Sequence, residues 1–392
     1  MLITYTISAF GPSWQPVTEA CVSPNSIKLG RYYKIFSHPD LEAILHRKIG
    51  LGAKDLYLLG IALLSHFIDN FALDYPPHID IPNLNQEKLD ALLAYIAQPM
   101  SALRKHARQT HVVDVNYPYL FNPLQAYPLI RERYAGRGFL LAPIPTFLLR
   151  RFTEGIYYEI FQEGGFAAAF GEAFQSYVGE AIHRANANGS FTVYPAVEYW
   201  VGRDRKDTVD WIVADHTAML FIECKTKRLQ LKAKTEIHST EALEEQLDKL
   251  ADFLLQLYRT IRDYRDGHYP HMAYDPHRKL YPVALTLEEW FAFGPKIIDE
   301  VDRRLQSKLV EHGLNPAWLQ QMPYSIVAAS DMEPLLQVVV RVGIDPVMAQ
   351  KTVRPEPWQW VMGAFLWHRF LTEYRDTHNF FPEVWNEITV NL

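Results

Sequence analysis

Cysteine is almost absent: Cys21 and Cys224 stand far apart among 392 residues. That excludes a disulfide framework and a four-thiolate zinc site, and it favours a reducing compartment. Long hydrophobic runs are equally scarce. The longest, Leu56 to Ile68, is bounded by Asp55 and Asp69 and interrupted by Ser65 and His66, so it reads as a buried helix rather than a membrane span. Basic charge is not in surplus: 39 Lys and Arg face 45 Asp and Glu, for a net charge of -6. A general polyanion-coating protein is thereby disfavoured, while a local basic groove stays open. No Gly-rich loop precedes a Lys-Ser/Thr pair and no Gly-x-Ser-x-Gly elbow occurs, so NTPase and serine-hydrolase readings lose their main support. The opening MLITYTISAFGPSW lacks a basic leader and a small-residue cleavage site, and the expectation is a soluble, cytoplasmic chain with no membrane partner. What is present is globular: 48% hydrophobic, 13% aromatic and 21% charged residues, with length enough for two or three domains.

Residues 1–165 are expected to form a mainly helical N-terminal region. Leu41, Ile44 and Leu45, then Leu58 to Ile68, then Leu89, Leu92, Leu93 and Ile96 recur at helical spacing. Between Asn116 and Pro145 five prolines and two glycines predict extended and turning backbone. Phe147 to Ile160 returns to a helical pattern that Gly164-Gly165 ends. Residues 166–290 change character. Phe166, Phe170, Phe174, Tyr177, Val178 and Ala181 share one side of a helix. Strand runs follow at Phe191–Trp200, Thr208–Ala214 and Ala218–Lys225, with a charged, turn-like Gly202–Asp207 between the first two. A long amphipathic helix is expected from Ser239 to Gly267, striped by Leu243, Leu247, Leu250, Leu254, Leu257 and Ile261, and another strand at Tyr281–Leu287. This is an α/β order. Residues 291–392 predict a mixed C-terminal region: a helix from Ile297 to Val310, short strands at Tyr324–Ala329 and Leu336–Val340, and a terminal helix at Trp358–Tyr374 with a large aromatic face.

The informative stretch runs from Asp207 to Lys225. A two-residue turn at His216-Thr217 sets Asp215 against Ala218 and, counted back along both strands, sets Asp210 opposite Glu223. Side-chain alternation then puts Lys225 on the face of Glu223 and turns Cys224 away. Two carboxylates so close repel unless a cation lies between them, which favours an oxygen-binding divalent ion, magnesium first and manganese as a substitute. The backbone carbonyl of Cys224 could complete the protein ligands. Lys225 would serve an attacking water, and the chemistry suggested is phosphodiester hydrolysis.

Asp210, twelve intervening residues and then Glu223-Cys224-Lys225 at the end of an apolar strand resemble the PD-(D/E)xK, or restriction-endonuclease-like, nuclease superfamily. The resemblance covers roughly Phe166 to Leu287 and implies a core of a helix, three strands, a helix and a strand. It implies that Asp210 and Glu223 bind metal and that Lys225 is catalytic. Val209 stands where the motif name has proline. Many members place an acidic residue on the first core helix after a Gly-x-x-Phe-Glu-x-Tyr pattern; here Gly171-Glu172-Ala173-Phe174-Gln175-Ser176-Tyr177 has Gln175 at that place. Gln175 and Glu180 flank the apolar stripe and are accessory candidates, whereas Glu172 is expected to be solvated.

The resemblance implies nucleic acid as the partner, DNA first, with structured RNA or tRNA possible. It also suggests, by analogy with single-chain nucleases carrying large added regions, a prokaryotic antiviral defence effector with a regulatory protein partner or a second copy of itself. The opposing expectation is a catalytically silent module of the same shape that binds nucleic acid or protein. Arg203, Arg205 and Lys206 before the Asp strand, and Lys227, Arg228, Lys232 and Lys234 after the Lys, form a local basic run against the acidic average. Tyr199, Trp200 and Trp211 are stacking candidates, though aromatics on strands are more often core. Glu198 is expected to be exposed or capped. His268, His271 and His277 lack the frame of a zinc site, and Glu288 and Glu289, adjacent on a strand, point to opposite faces.

Overall fold

The computed structural model describes residues 24–78, 84–110, 122–226, 240–289 and 295–389. Cys21, Lys227, Arg228, Lys232 and Lys234 lie outside them. The described chain is a mixed α/β fold dividing into two compact units, Met1–Ala173 with Phe381–Leu392, and Phe174–Phe380. Among the described residues no single helix is long and apolar enough to cross a membrane.

The first unit carries α1 (Pro24–Phe36), α2 (Pro39–Ile49), α3 (Ala53–Asp69), α4 (Gln86–Ile96), α5 (Met100–Thr110), α6 (Thr146–Arg151), α7 (Glu154–Ile160) and, from the chain's end, α16 (Val384–Thr389). Leu56 to Leu59 are all buried in α3, as expected for the longest apolar run. The unit also holds a four-stranded sheet of order β1-β4-β3-β2, from β1 (Ala72–Tyr75), β2 (Ala97–Pro99), β3 (Leu129–Tyr134) and β4 (Arg137–Leu141). The hairpin of β3 and β4 accounts for the extended backbone expected in the proline-rich segment; its two-residue turn, Ala135-Gly136, has positive φ at both positions, as the twist of a tight hairpin demands. The helix expected over Phe147–Ile160 is broken at Phe152-Thr153. Arg151 is buried there and turns its guanidinium to Glu159 at 2.7 Å and to the carbonyls of Tyr95 and Gly155, which an unbroken helix would not permit.

The division between the units falls inside α8 (Phe166–Ala185). Its expected apolar stripe is buried throughout, from Phe166 to Ala181. In the second unit a five-stranded mixed sheet has the order β11-β10-β9-β8-β5, from β5 (Thr192–Pro195), β8 (Trp211–Ala214), β9 (Ala218–Lys225), β10 (Lys279–Thr286) and β11 (Ser325–Ala328). The β5, β8 and β9 pairings are antiparallel, while β9, β10 and β11 run parallel. α9 (Thr240–Arg265) makes the crossover between β9 and β10; its stripe of Leu247, Leu250, Leu254, Leu257 and Ile261 joins Phe221, Ala284 and Leu305 in one core. Parallel strands buried on both faces read as continuous apolar runs, and MLFI in β9 is such a run.

Several expectations need correction in this unit. Phe191–Trp200 is not one strand: it divides into β5 and β6 (Glu198–Val201). Gly202–Asp207, expected as a turn, holds β7 (Asp204–Asp207), which pairs with β6 in a separate two-stranded ribbon. The charged residues obscure the strand because the ribbon's outer face is solvated. Leu336–Val340, expected as a strand, lies within α12 (Ala329–Val342). A short β-branched run buried on all sides carries no period to distinguish the two, and Gln337 within it is satisfied by the backbone of His378. α10 (Pro295–Glu311), α11 (Trp318–Gln321) and α13 (Ile344–Lys351) complete the surroundings. The terminal helix starts at Met362, not Trp358, and is interrupted at Phe370, giving α14 (Met362–Arg369) and α15 (Leu371–Arg375).

Candidate active site

The hairpin of β8 and β9 sets the site. Trp211 pairs with Ile222 and Ala214 with Met219, and the Asp215 N–H donates to the Ala218 carbonyl at 3.1 Å. The same register carried one step past the end of β8 puts Asp210 against Glu223, as the two-residue turn predicts. One Asp210 oxygen accepts from the backbone N–H of Cys224 at 2.6 Å. The other accepts from the side-chain amide of Gln175, presented by α8. Lys225 Nζ lies 3.7 Å from Glu223 Oε1 and 4.8 Å from the centre of the Phe253 ring, so α9 supplies a floor beneath the ammonium. Asp210, Glu223, Lys225 and Gln175 therefore come together.

Glu180 is engaged elsewhere, in an ion pair with Arg184 one turn along the helix at 2.6 Å. Glu172 is exposed, as expected. Burial pushes the Cys224 thiol up, and the negative charge of Asp210 and Glu223 adds to this.

The electrostatics of the pair are those of an uncompensated acidic site. Glu223, with 13% of its side chain exposed, is raised to about 7, first by burial and then by the charge of Asp210, against the opposing pull of Lys225. Asp210 is raised as well, because burial outweighs the Cys224 N–H, the Lys225 charge and the Gln175 amide. Among the described residues no group of three or more His, Cys, Asp or Glu side chains is arranged to hold a metal. Two carboxylates are nevertheless a fitting donor set for magnesium, which keeps several waters and takes one or two carboxylates plus a substrate oxygen. The N–H and C=O of one extended residue point the same way, so the Cys224 carbonyl opens to the side on which its N–H meets Asp210.

One contact that the sequence does not signal fixes the helix against the strand. A Cβ on Gly179 would lie 2.2 Å from the Trp211 ring, so the indole occupies the space left by the missing side chain. Trp211 is thus a packing residue, with His183 at its edge. Tyr199 is buried too, donating to Asp263 at 2.8 Å, and Lys206 reaches the same carboxylate at 2.6 Å; these two hold the inner face of the ribbon. Trp200 alone of the three stacking candidates is open, 61% exposed. Glu198 pairs with Arg205 on the exposed face, and Arg203 is exposed. His271 is packed between Tyr194 and Tyr269, its pKa lowered by burial.

No family model and no curated protein matches the chain. Among solved structures it is similar to protein VC1899 from Vibrio cholerae, at 12% identity and a TM-score of 0.25. That alignment covers 82% of this chain and 57% of the other, so the chain spans little more than half the length of that protein.

Proposed function

We propose that this chain is a divalent-metal-dependent nuclease that hydrolyses phosphodiester bonds in nucleic acid, with DNA as the first substrate and structured RNA, tRNA included, as the alternative. The observation that carries the reading is the partly buried pair Asp210 and Glu223, both raised in pKa, with the Lys225 ammonium beside it. The order of α8, β5, β8, β9, α9 and β10 is compatible with the core that the motif implies. When bound, magnesium, or manganese in its place, would polarise the phosphate and acidify a water. Asp210, Glu223 and the Cys224 carbonyl would be its protein ligands. Gln175 fixes the rotamer of Asp210 by its amide hydrogen bond and keeps its own carbonyl oxygen to accept a hydrogen bond from water. Lys225, resting against Phe253, directs its ammonium toward the acidic pair, where it can orient the nucleophile and offset charge developing on the phosphate. The flanking regions would select substrate, hold activity until a trigger arrives, or dock a partner.

The test is cleavage of plasmid, single-stranded DNA and tRNA with magnesium, manganese or EDTA. Metal-dependent cleavage by the wild type and a loss of about a hundredfold or more in a folded Lys225→Ala variant are the expected results. One observation favours a second reading: both Asp210 oxygens already accept protein donors, as in a site that has become structural. Binding without cleavage under every condition would establish that silent module.

A further inference from the structure

The three parallel strands end level with one another: Lys225 is in register with Thr286, and Thr286 with Ala328. Beyond the end of β11, three residues on, Asp331 accepts from the Gly363 N–H at 2.8 Å. The start of α14 is thereby tied to the edge of the sheet that carries Glu223 and Lys225, about 10 Å away across two strand spacings. On α14 and α15 stands a surface that the hydrolytic chemistry does not use. Trp367 is 47% exposed although it is the largest apolar side chain on α14, and Tyr374 meets it edge-on at 5.9 Å. Arg375 lies over the Trp367 ring at 5.4 Å and Arg369 over the Trp360 ring at 6.0 Å. Among the described residues neither guanidinium has a carboxylate partner, whereas the neighbouring Asp376 is neutralised by Arg341 at 3.2 Å.

A half-exposed indole beside guanidinium groups that have no carboxylate partner matches the chemistry of single-stranded nucleic acid, in which bases offer π-faces and the backbone offers phosphates. We infer that the exposed surface made by Trp360, which precedes α14, by Trp367 and Arg369 around the end of α14, and by Arg375 of α15 is a platform for single-stranded nucleic acid feeding the Asp210–Glu223 site. The assignment rests on the nuclease reading for its link to catalysis, but the binding it describes is measured separately. The net charge of -6 makes such a patch necessary for a polyanion to settle at one place on the chain. Trp367 supplies stacking, and Arg369 and Arg375 supply contacts that release counterions.

The experiment measures fluorescence anisotropy of a labelled oligo-dT in EDTA, with hydrolysis of bis(p-nitrophenyl) phosphate in magnesium as a separate readout of the acidic site. Trp367→Ala is expected to weaken oligonucleotide binding about tenfold, and Trp367→Phe to restore most of it. The double variant R369Q/R375Q is expected to flatten the slope of log K on log salt by about 1.4, the share of two contacts to a single strand. Small-ester hydrolysis is expected to stay at the wild-type level in all three. Oligonucleotide binding by the wild type that these variants leave unchanged, or no binding by the wild type, would overturn the platform. So would variants that alter only self-association, because the face would then be a protein contact. Wild type that binds through this face yet hydrolyses neither substrate leaves the platform standing and removes the nuclease reading.

Discussion

The two ends of the β8–β9 hairpin each carry an aspartate, and their surroundings are opposite. At the turn, one oxygen of Asp215 accepts from the Thr217 N–H, the Thr217 hydroxyl and the Ala218 N–H at 2.6 to 2.9 Å. Its other oxygen accepts from the Ile344 N–H at 2.7 Å. Burial pushes its pKa up, but the donors outweigh it and hold the carboxyl below the usual range. At the open end, Asp210 has two donors and a second acid opposite, and both acids are raised. Five residues apart, the same side chain thus serves as a fastening at one end and as an unmet demand for positive charge at the other. What separates the two carboxylates here is the balance of burial against donors: four donors outweigh burial at Asp215, whereas burial outweighs the two donors and the Lys225 charge at Asp210.

Asp215→Ala gives the sharpest test of that contrast. Leaving the turn and α13 N–H groups without their acceptor should cost about 3 kcal/mol of unfolding free energy, read from urea titrations; a loss under about 1 kcal/mol would erase the distinction between the ends. Next in size is Glu223→Gln. A carboxyl near 4.5 when unfolded and about 7 when folded binds more protons in the native state, so stability falls as pH rises from about 4.5 to 7 and is flat above. The substitution should therefore stabilise the protein by up to about 3 kcal/mol at pH 8 and change little at pH 4. Asp215 has the reverse sign: its contribution is present above the unfolded value near 4 and disappears as pH falls through the depressed folded value. Asp215→Ala should consequently narrow its gap to the wild type in strong acid. The smallest expected change is in Asp210→Asn, within about 1 kcal/mol of wild-type stability, because the lost charge relieves Glu223 while the amide keeps one acceptor for Cys224 or Gln175. If magnesium binds where proposed, it should raise the melting temperature of the wild type and not that of this variant.

Much of this site was readable in the sequence because hairpin register propagates from a turn. Once His216-Thr217 is the two-residue loop, the opposition of Asp210 and Glu223 follows from counting, and alternation supplies Lys225. Gln175 was reachable through the motif position at which the superfamily that the sequence resembles carries an acid. Long-range contacts were not: nothing local in Asp215 announces Ile344, 129 residues on, and nothing in Gly179 announces Trp211. The helices α8, α9 and α10 were legible because each buries one stripe. α12 was missed in part because Leu335, Leu336, Gln337, Val338 and Val339 are buried in succession, so that stretch shows no exposed turn to betray the helical period. The ribbon of β6 and β7 was hidden by its solvated charges, and its anchor, Asp263, sits in another element.

The indole lodged against Gly179 makes position 179 a shim. Gly179 lies four residues, one helical turn, beyond Gln175, so any side chain that wedges α8 away from β8 also withdraws the Gln175 amide from Asp210. Saturation of this one codon would then sort variants by how far apart the helix and strand are forced. Alanine, the smallest insert, would reveal how little slack the acidic pair tolerates.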